Sequence, residues 1–309
     1  MKTSFTTDYS VITFATGKIR YVKFALNCAS SVLQFNKIRF YIVSDLKFKI
    51  PIELKKYVSI IDALPEHLGQ GTGIKLHIDK YLQTQYTLFI DSDCLCYDSL
   101  QSTFDLFSSK NVSVVGNIVN AASWCGEKEA KTIYEAFGIT RLPRFNGGIY
   151  YVSKSEQTKK IFDKAREIAL DYDQLGFQRI HNKWINEEIA IAIAMAIYNE
   201  FPVADNGFLM TDLYTDQHTS NLNVLTGFRE INNPSVSSIW HRPWYPEGKV
   251  KPIIVHFGSA GLYRYPYFSQ HFLLQLKSRN ILIFFASVLT ILFVHIPFKL
   301  KYWLSVKFQ

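Results

Sequence analysis

The chain has 309 residues, 48% of them hydrophobic, and four cysteines. That is enough apolar material for one large α/β domain with or without an appendage, and too few thiols for a disulfide framework. The formal charge of +8 is unevenly placed: 26 acidic and 26 basic residues balance up to Glu247, and eight Lys or Arg with no acid follow from Gly248 to Gln309. A nucleic-acid binder would carry its basic excess through the folded body, so no nucleic-acid partner is expected and the charge belongs to the tail. The opening residues Met1–Asp8 contain no long apolar stretch, so neither a signal peptide nor an N-terminal anchor is expected. Free thiols in a reducing compartment are the simplest reading of Cys28, Cys94, Cys96 and Cys125.

Taken in chain order, residues 11–16 (VITFAT) form a first strand turned by Gly17, and apolar positions 22, 25, 26, 29, 32 and 33 repeat at helical spacing after it. Residues 38–43 predict a second strand and 58–61 a third. Glycines 69, 71 and 73 lack the spacing of a dinucleotide fingerprint and read as a loop leading into a helix near 74–83. Residues 86–90 (YTLFI) form a fourth strand, rich in β-formers and apolar on both faces; residues 112–115 predict a fifth. The turn Asn146-Gly147-Gly148 enters another strand, 156–170 is an amphipathic helix, 187–198 an Ala/Ile-rich buried helix, and 202–209 and 253–255 are short strands. Strands separated by helices imply parallel, right-handed βαβ units.

The fourth strand runs into Asp91-Ser92-Asp93. Ligands of open α/β sheets bind at the carboxyl ends of strands, and two carboxylates one residue apart can there hold a hard divalent cation that neutralises a diphosphate. The same residues would also serve simply to end a strand. Cys94 and Cys96 have neither a second Cys pair nor a close His in sequence, which argues against zinc.

In this order Phe14-Ala-Thr-Gly17, Lys75-Leu-His77, Phe89-Ile-Asp-Ser-Asp93, Phe145-Asn-Gly-Gly-Ile149, Asn186-Glu-Glu188 and Val255-His-Phe-Gly258 resemble the GT-A glycosyltransferases, family 8 in particular. The resemblance covers roughly residues 10–260. It implies an α/β, Rossmann-like, mainly parallel sheet with helices on both faces in a catalytic domain over 1–270; the apolar, basic segment over 271–309 lies outside it and is expected to be separate. The resemblance further implies that Asp91 and Asp93, with His256 as a distant third ligand, bind Mn²⁺ or Mg²⁺ on the diphosphate of a nucleotide sugar; a His ligand favours Mn²⁺. Thr16, Gly17 and Tyr21 would line base and ribose, Ser92 would sit among the donor contacts, and Lys75 would lie near the phosphates or sugar unless it is a solvated helix lysine. Asn146, Gly147 and Gly148 would form the turn beneath the donor sugar. Glu187 and Glu188 would orient the reacting sugar in a retaining enzyme or supply the general base in an inverting one, or merely complement a helix dipole. The family's terminal Lys-Pro-Trp is missing, and Arg264 is its candidate substitute on the phosphates.

Residues 281–298 carry no charged side chain, and as a helix they span about 27 Å, just short of a hydrocarbon core of about 30 Å. Lys277 and Arg279 flank one end; Lys299, Lys301, Tyr302 and Trp303 flank the other, as at a membrane interface. A soluble terminal helix would show a polar face, so attachment to the cytoplasmic face of a membrane is expected, with a shallow anchor favoured over a clean span. The expected activity is transfer of a sugar, from a UDP-linked donor, to a hydroxyl of a glycan or lipid-linked acceptor. A nucleotidyltransferase would need a basic glycine-rich loop after the first strand, which Phe14–Lys18 matches poorly. A non-catalytic, membrane-attached carbohydrate-binding protein is the remaining rival.

Overall fold

The computed structural model describes residues 2–204, 207–213, 221–258 and 263–307. Strands β1 (Tyr9–Phe14), β2 (Arg39–Ser44), β3 (Val58–Asp62) and β4 (Tyr86–Ile90) are mutually parallel, joined by helix α1 (Ile19–Phe35) and, between β3 and β4, a 3₁₀ helix over Gly71–Tyr81. A short strand β5 (Cys94–Cys96) follows, then β6 (Val112–Ser113) and β7 (Ile149–Ser153). The six-stranded sheet has the order β3-β2-β1-β4-β7-β6, with β7 antiparallel to both neighbours.

Alternation along the strands fills two layers. Ile12, Phe14, Phe89, Tyr150 and Val152 face a core shared with helices α2 (Glu156–Leu170) and α3 (Glu187–Ile197). Val11, Phe40, Ile42, Leu88, Ile90 and Tyr151 face the α1 side, with Val22, Ala25, Ala29 and Val32. Side chains buried this completely each contribute about 1.5–3 kcal/mol, and the layers fix the sheet on which the strand-end loops stand.

A second, three-stranded sheet crosses those loops. It joins β8 (Met210–Asp212), β9 (Ile254–His256) and β5, with β8 parallel to β9 and β9 antiparallel to β5. The register sets Asp212, His256 and Cys94 in one row. The strand expected over 202–209 is not formed as such: Val203 makes an isolated bridge to Val115, 205–206 lie outside the described residues, and the pairing begins at Met210. Pro202 lacks a ladder donor and Gly207 takes φ +75°, which pushes the strand downstream. The glycines at 71 and 73 open the 3₁₀ helix rather than a free loop; Gly71 lies so close to Trp184 that a Cβ would meet its ring at 2.9 Å.

Helix α4 (Tyr267–Ser278) packs Tyr267, Leu273, Leu274 and Leu276 into a third core cluster with Phe24, Leu95 and Val255. The boundary expected at residue 270 therefore falls inside a helix of the folded body. From Ile283 to Lys307 the chain is continuously helical, with one π-type turn at Ile291–His295.

Candidate functional site

The loop leaving β4 is a tight turn in which Cys94 N–H donates to the Asp91 carbonyl at 3.0 Å, and it is tied to the glycine turn by Asp91 N–H donating to the Gly148 carbonyl at 2.9 Å. Asn146 closes that turn, its Oδ1 accepting from Gly148 N–H at 2.9 Å. A Cβ on Gly148 would meet Asn146 Oδ1 at 3.0 Å, Met210 Sδ at 3.2 Å and His256 Cγ at 3.3 Å, so only glycine lets the turn lie against both the first loop and the second sheet. Asp91, Asp93, Asn146, Gly147, Gly148, Lys75, Glu187, Glu188 and His256 thus converge at the carboxyl end of β4. Ser92 sits between the two aspartates, half-buried.

Two charge networks share this floor. In the first, Lys75 Nζ lies 2.7 Å from Asp91 Oδ2 and 3.5 Å from Glu187 Oε1, and donates to the Gly147 carbonyl at 2.9 Å. Lys75 is buried, which rules out a solvated role. Burial alone would lower its pKa, but Asp91 and Glu187 outweigh it and raise the pKa. The 3₁₀ helix carrying it is clamped by Arg166, which bridges Asp79 at 2.7 and 3.1 Å and donates to the Leu76 carbonyl at 2.7 Å. For Asp91, burial and the neighbouring Asp93 prevail over Lys75, and its pKa is raised.

In the second network His256 Nε2 lies 3.3 Å from Asp93 Oδ1, while Nδ1 lies 2.8 Å from Asp212 Oδ1. Burial would lower the histidine's pKa and raise that of Asp93, but their mutual attraction wins both ways: His256 goes up and Asp93 down. Asp212 is a residue that sequence reasoning missed. It holds the imidazole from behind, the usual position of a carboxylate that orients a metal-binding histidine.

Among the described residues, one group of three potential metal ligands stands close together: Asp93, Cys94 and His256, with ligand atoms within 4.8 Å of one another. Burial drives the Cys94 thiol's pKa well up, and its Sγ lies 3.7 Å from the Gly148 carbonyl, to which it donates. The effective donors are therefore one carboxylate and one imidazole, flanked by Asp212 Oδ2, a buried oxygen without a hydrogen-bond partner. That O/N set suits a hard-to-borderline divalent cation. Asp91 stands apart from this group, held by Lys75.

Glu187 and Glu188 open helix α3, whose N-terminus Asn186 caps by accepting from Glu188 N–H at 3.1 Å. Glu187 is buried against Lys75, whereas half-buried Glu188 turns its Oε1 to Gly147 N–H at 2.6 Å. Burial, then the charge of Glu187, pushes the Glu188 carboxyl up to about 7, with Lys75 opposing. A Cβ on Gly147 would meet Glu188 Oε1 at 3.0 Å and Tyr150 OH at 2.8 Å.

Thr16, Gly17 and Tyr21 lie at the end of β1 and the start of α1. Gly17 takes φ +76° with open space where a Cβ would be, and its N–H donates to Asp45 Oδ1 at 2.8 Å. Tyr21 is covered by Arg20, whose guanidinium carbon is 4.8 Å from the ring centre. Arg264 is exposed, and its side chain makes no ion pair among the described residues. Residues 259–262, between His256 and Arg264, lie outside the described residues.

Comparison of the whole structure with solved ones finds a galactosyltransferase, LgtC, crystallised with donor and acceptor sugar analogues. It superposes with a TM-score of 0.52 at 17% identity, covering 84% of this chain and 91% of that one. The fold is that of the GT-A glycosyltransferases. An active-site mutant of LgtC matches with a TM-score of 0.50 at 16% identity, over 82% of this chain and 89% of that one. Mouse xyloside xylosyltransferase 1 gives 0.49 at 13%, over 82% and 99%. No protein-family model and no curated protein sequence matches.

Proposed function

We propose that this GT-A chain is a metal-dependent glycosyltransferase that moves a sugar from a nucleotide donor, a UDP-sugar, to a hydroxyl of a glycan or lipid-linked acceptor at the cytoplasmic face of a membrane. One observation carries the reading. Two separate charge networks, Lys75–Asp91–Glu187 and Asp93–His256–Asp212, meet under one glycine turn at the strand end where such sheets bind ligands. A purely structural cap would not bury so many ionisable groups.

Asp93 and His256 are the residues that would hold a Mn²⁺ ion, with the unpartnered Asp212 Oδ2 beside them and Asp91 a further carboxylate of the same strand-end loop; bound there, the cation would supply the positive charge that a departing diphosphate needs. Asp212 fixes the imidazole so that Nε2 faces Asp93. Lys75 lies between Asp91 and Glu187 and holds both carboxylates in place beneath the glycine turn. Gly147 and Gly148 give backbone approach beneath the donor sugar. Of the two glutamates, Glu187 is engaged by Lys75, and Glu188 is the one with a carboxyl near 7, in the range a general base at physiological pH requires. It would accept the proton of the acceptor hydroxyl. Thr16, Gly17, Tyr21 and Ser92 would contact the nucleotide, and Arg264, exposed beyond residue 262, would close on its phosphates. The tail helix supplies the attachment to the membrane.

The test is a panel of nucleotide sugars titrated into the purified protein by calorimetry, with Mn²⁺ and with EDTA. Saturable Mn²⁺-dependent binding of a UDP-sugar, abolished by Asp93→Ala, is expected. Binding unaffected by EDTA would refute the metal-dependent assignment.

A further inference from the structure

The segment Ile283–Leu304 has the length and composition of a membrane-crossing helix, yet it is fastened along its side to the folded body. Ala286, Thr290 and Val294, four residues apart, are buried and form one inward stripe. Polar ties run beside that stripe: Asn223 Nδ2 donates to Ser287 Oγ at 3.0 Å, and the Tyr265 hydroxyl pairs with His295 Nδ1 at 3.0 Å. The Tyr265 ring also stacks on Phe298 with centroids 3.8 Å apart. From Ser287 to Phe298 the helix axis advances about 16 Å, and over that length the helix has a polar protein body beside it. Beyond Phe298 only about 9 Å remain before Leu304, far short of the roughly 30 Å a span needs.

The opposite face is apolar and open: Phe284 is 71% exposed, Phe293 67%, Phe285 56%, Leu300 56% and Leu292 51%. Exposed lysines at 299 and 301 and Arg279 at the other end frame it, and no acidic residue follows Glu247. Resting on the membrane reading above, we infer that this helix lies in the plane of an anionic bilayer as a docked interfacial helix. Its inner stripe stays on the catalytic body, and its phenylalanine face seats at the headgroup–acyl boundary. Such a helix enters the surface by about 5–10 Å and draws on anionic lipid as well as apolar burial. The helix then holds the whole body at a set orientation to the lipid surface, which a hinged spanning anchor would not do.

The full chain, purified in mild detergent and reconstituted with phosphatidylcholine vesicles with or without phosphatidylglycerol, tests this. Flotation should show binding that is stronger with phosphatidylglycerol. The Lys299→Gln/Lys301→Gln pair should weaken binding about 30-fold at unchanged melting temperature, taking each lysine's attraction from its usual size near an anionic leaflet. Nitroxides attached at Phe284→Cys, Phe293→Cys and Lys301→Cys, in a Cys125→Ser background, report depth by oxygen against nickel-chelate accessibility. The expected result is a shallow phenylalanine pair at similar depth and a nitroxide at 301 on the water side. A deep mid-helix nitroxide with 284 and 301 at opposite surfaces would overturn the inference in favour of a span. Vesicle-independent dimerisation burying the same face would overturn it in favour of a second copy. Mn²⁺-dependent UDP binding is followed on the same samples, so loss of donor binding with retained flotation indicts the transferase reading alone.

Discussion

Replacing Lys75 by Met removes the cation from between Asp91 and Glu187 while preserving most of its apolar stem. The lysine and Glu187 side chains are only 9% and 3% exposed, and Asp91 21%, so little water can take the ammonium's place. Removing one partner of a buried ion pair costs about 3–5 kcal/mol. Asp91 already has a raised pKa and can escape part of that penalty by taking up a proton, which puts the expectation at the lower end, about 3 kcal/mol, or about 5 °C in melting temperature for a chain of this length. The sign with pH follows from the carboxylates. Without Lys75 the folded pKa of Asp91 sits further above its unfolded value, so the loss relative to the parent is largest near pH 7 and shrinks as pH falls toward the ordinary carboxylate range. Urea denaturation of the parent, Lys75→Met, Glu187→Gln and the double variant, at pH 7 and pH 5, is the assay. The double variant should recover about 2 kcal/mol of the single-mutant losses. Strictly additive losses, or a Lys75→Met variant within about 0.5 kcal/mol of the parent, would refute the view that Lys75 neutralises this site.

Glu188→Gln should cut turnover by about 10²–10⁴ with donor binding kept, and should abolish the rise in kcat with pH that the parent shows around 7; an unchanged pH profile would return Glu188 to a helix-capping role. Asp212→Asn should weaken Mn²⁺ affinity by about 10–100-fold while leaving the melting temperature of the metal-free protein nearly intact, read by calorimetric titration. His77 stacks on His67 with ring centres 3.7 Å apart, and burial, reinforced by His67, lowers its pKa to about 4. Because the folded pKa lies below the unfolded value, the pair costs nothing above about pH 6.5 and destabilises progressively as pH falls from there toward 4. His77→Phe should therefore flatten that acid limb in urea titrations, by about 1 kcal/mol after allowing for partial exposure.

The parallel half of the sheet was legible because strands buried on both faces are continuous apolar runs; 11–16, 38–43, 58–61 and 86–90 each lie within two residues of β1 to β4. The helices over 156–170 and 187–198 were legible from the amphipathic pattern of the first and the Ala/Ile-rich run of the second; their caps Ser155 and Asn186 emerged with the structure. Of the second sheet only β9 was legible, as the apolar run 253–255; β5 and β8 were not. Its three strands have three residues each, too short for any period; β8 and β9 pair across 44 residues, and β9 pairs with β5 across more than a hundred. Asp212 belongs to the site only through its register with His256. An acid ending the apolar run Phe208–Met210 was the one local signal for it, the same signal that marked Asp91. Lys75 was placed near the site by motif alone; that it neutralises two carboxylates depends on Arg166 and Asp79 fixing a 3₁₀ helix, which no local pattern encodes. The tail's apolar character was plain, whereas its inward stripe needed Tyr265 and Asn223 to reveal it.

The most direct test of the catalytic assignment is release of free UDP from UDP-sugars by the purified full chain, measured with Mn²⁺, with EDTA, and in Asp93→Ala. Such weak donor hydrolysis needs no acceptor to be known. Turnover that requires Mn²⁺, returns on adding the metal back after EDTA, and disappears in an Asp93→Ala variant that remains folded is the expected result. Undiminished hydrolysis in EDTA, or in Asp93→Ala, would contradict it.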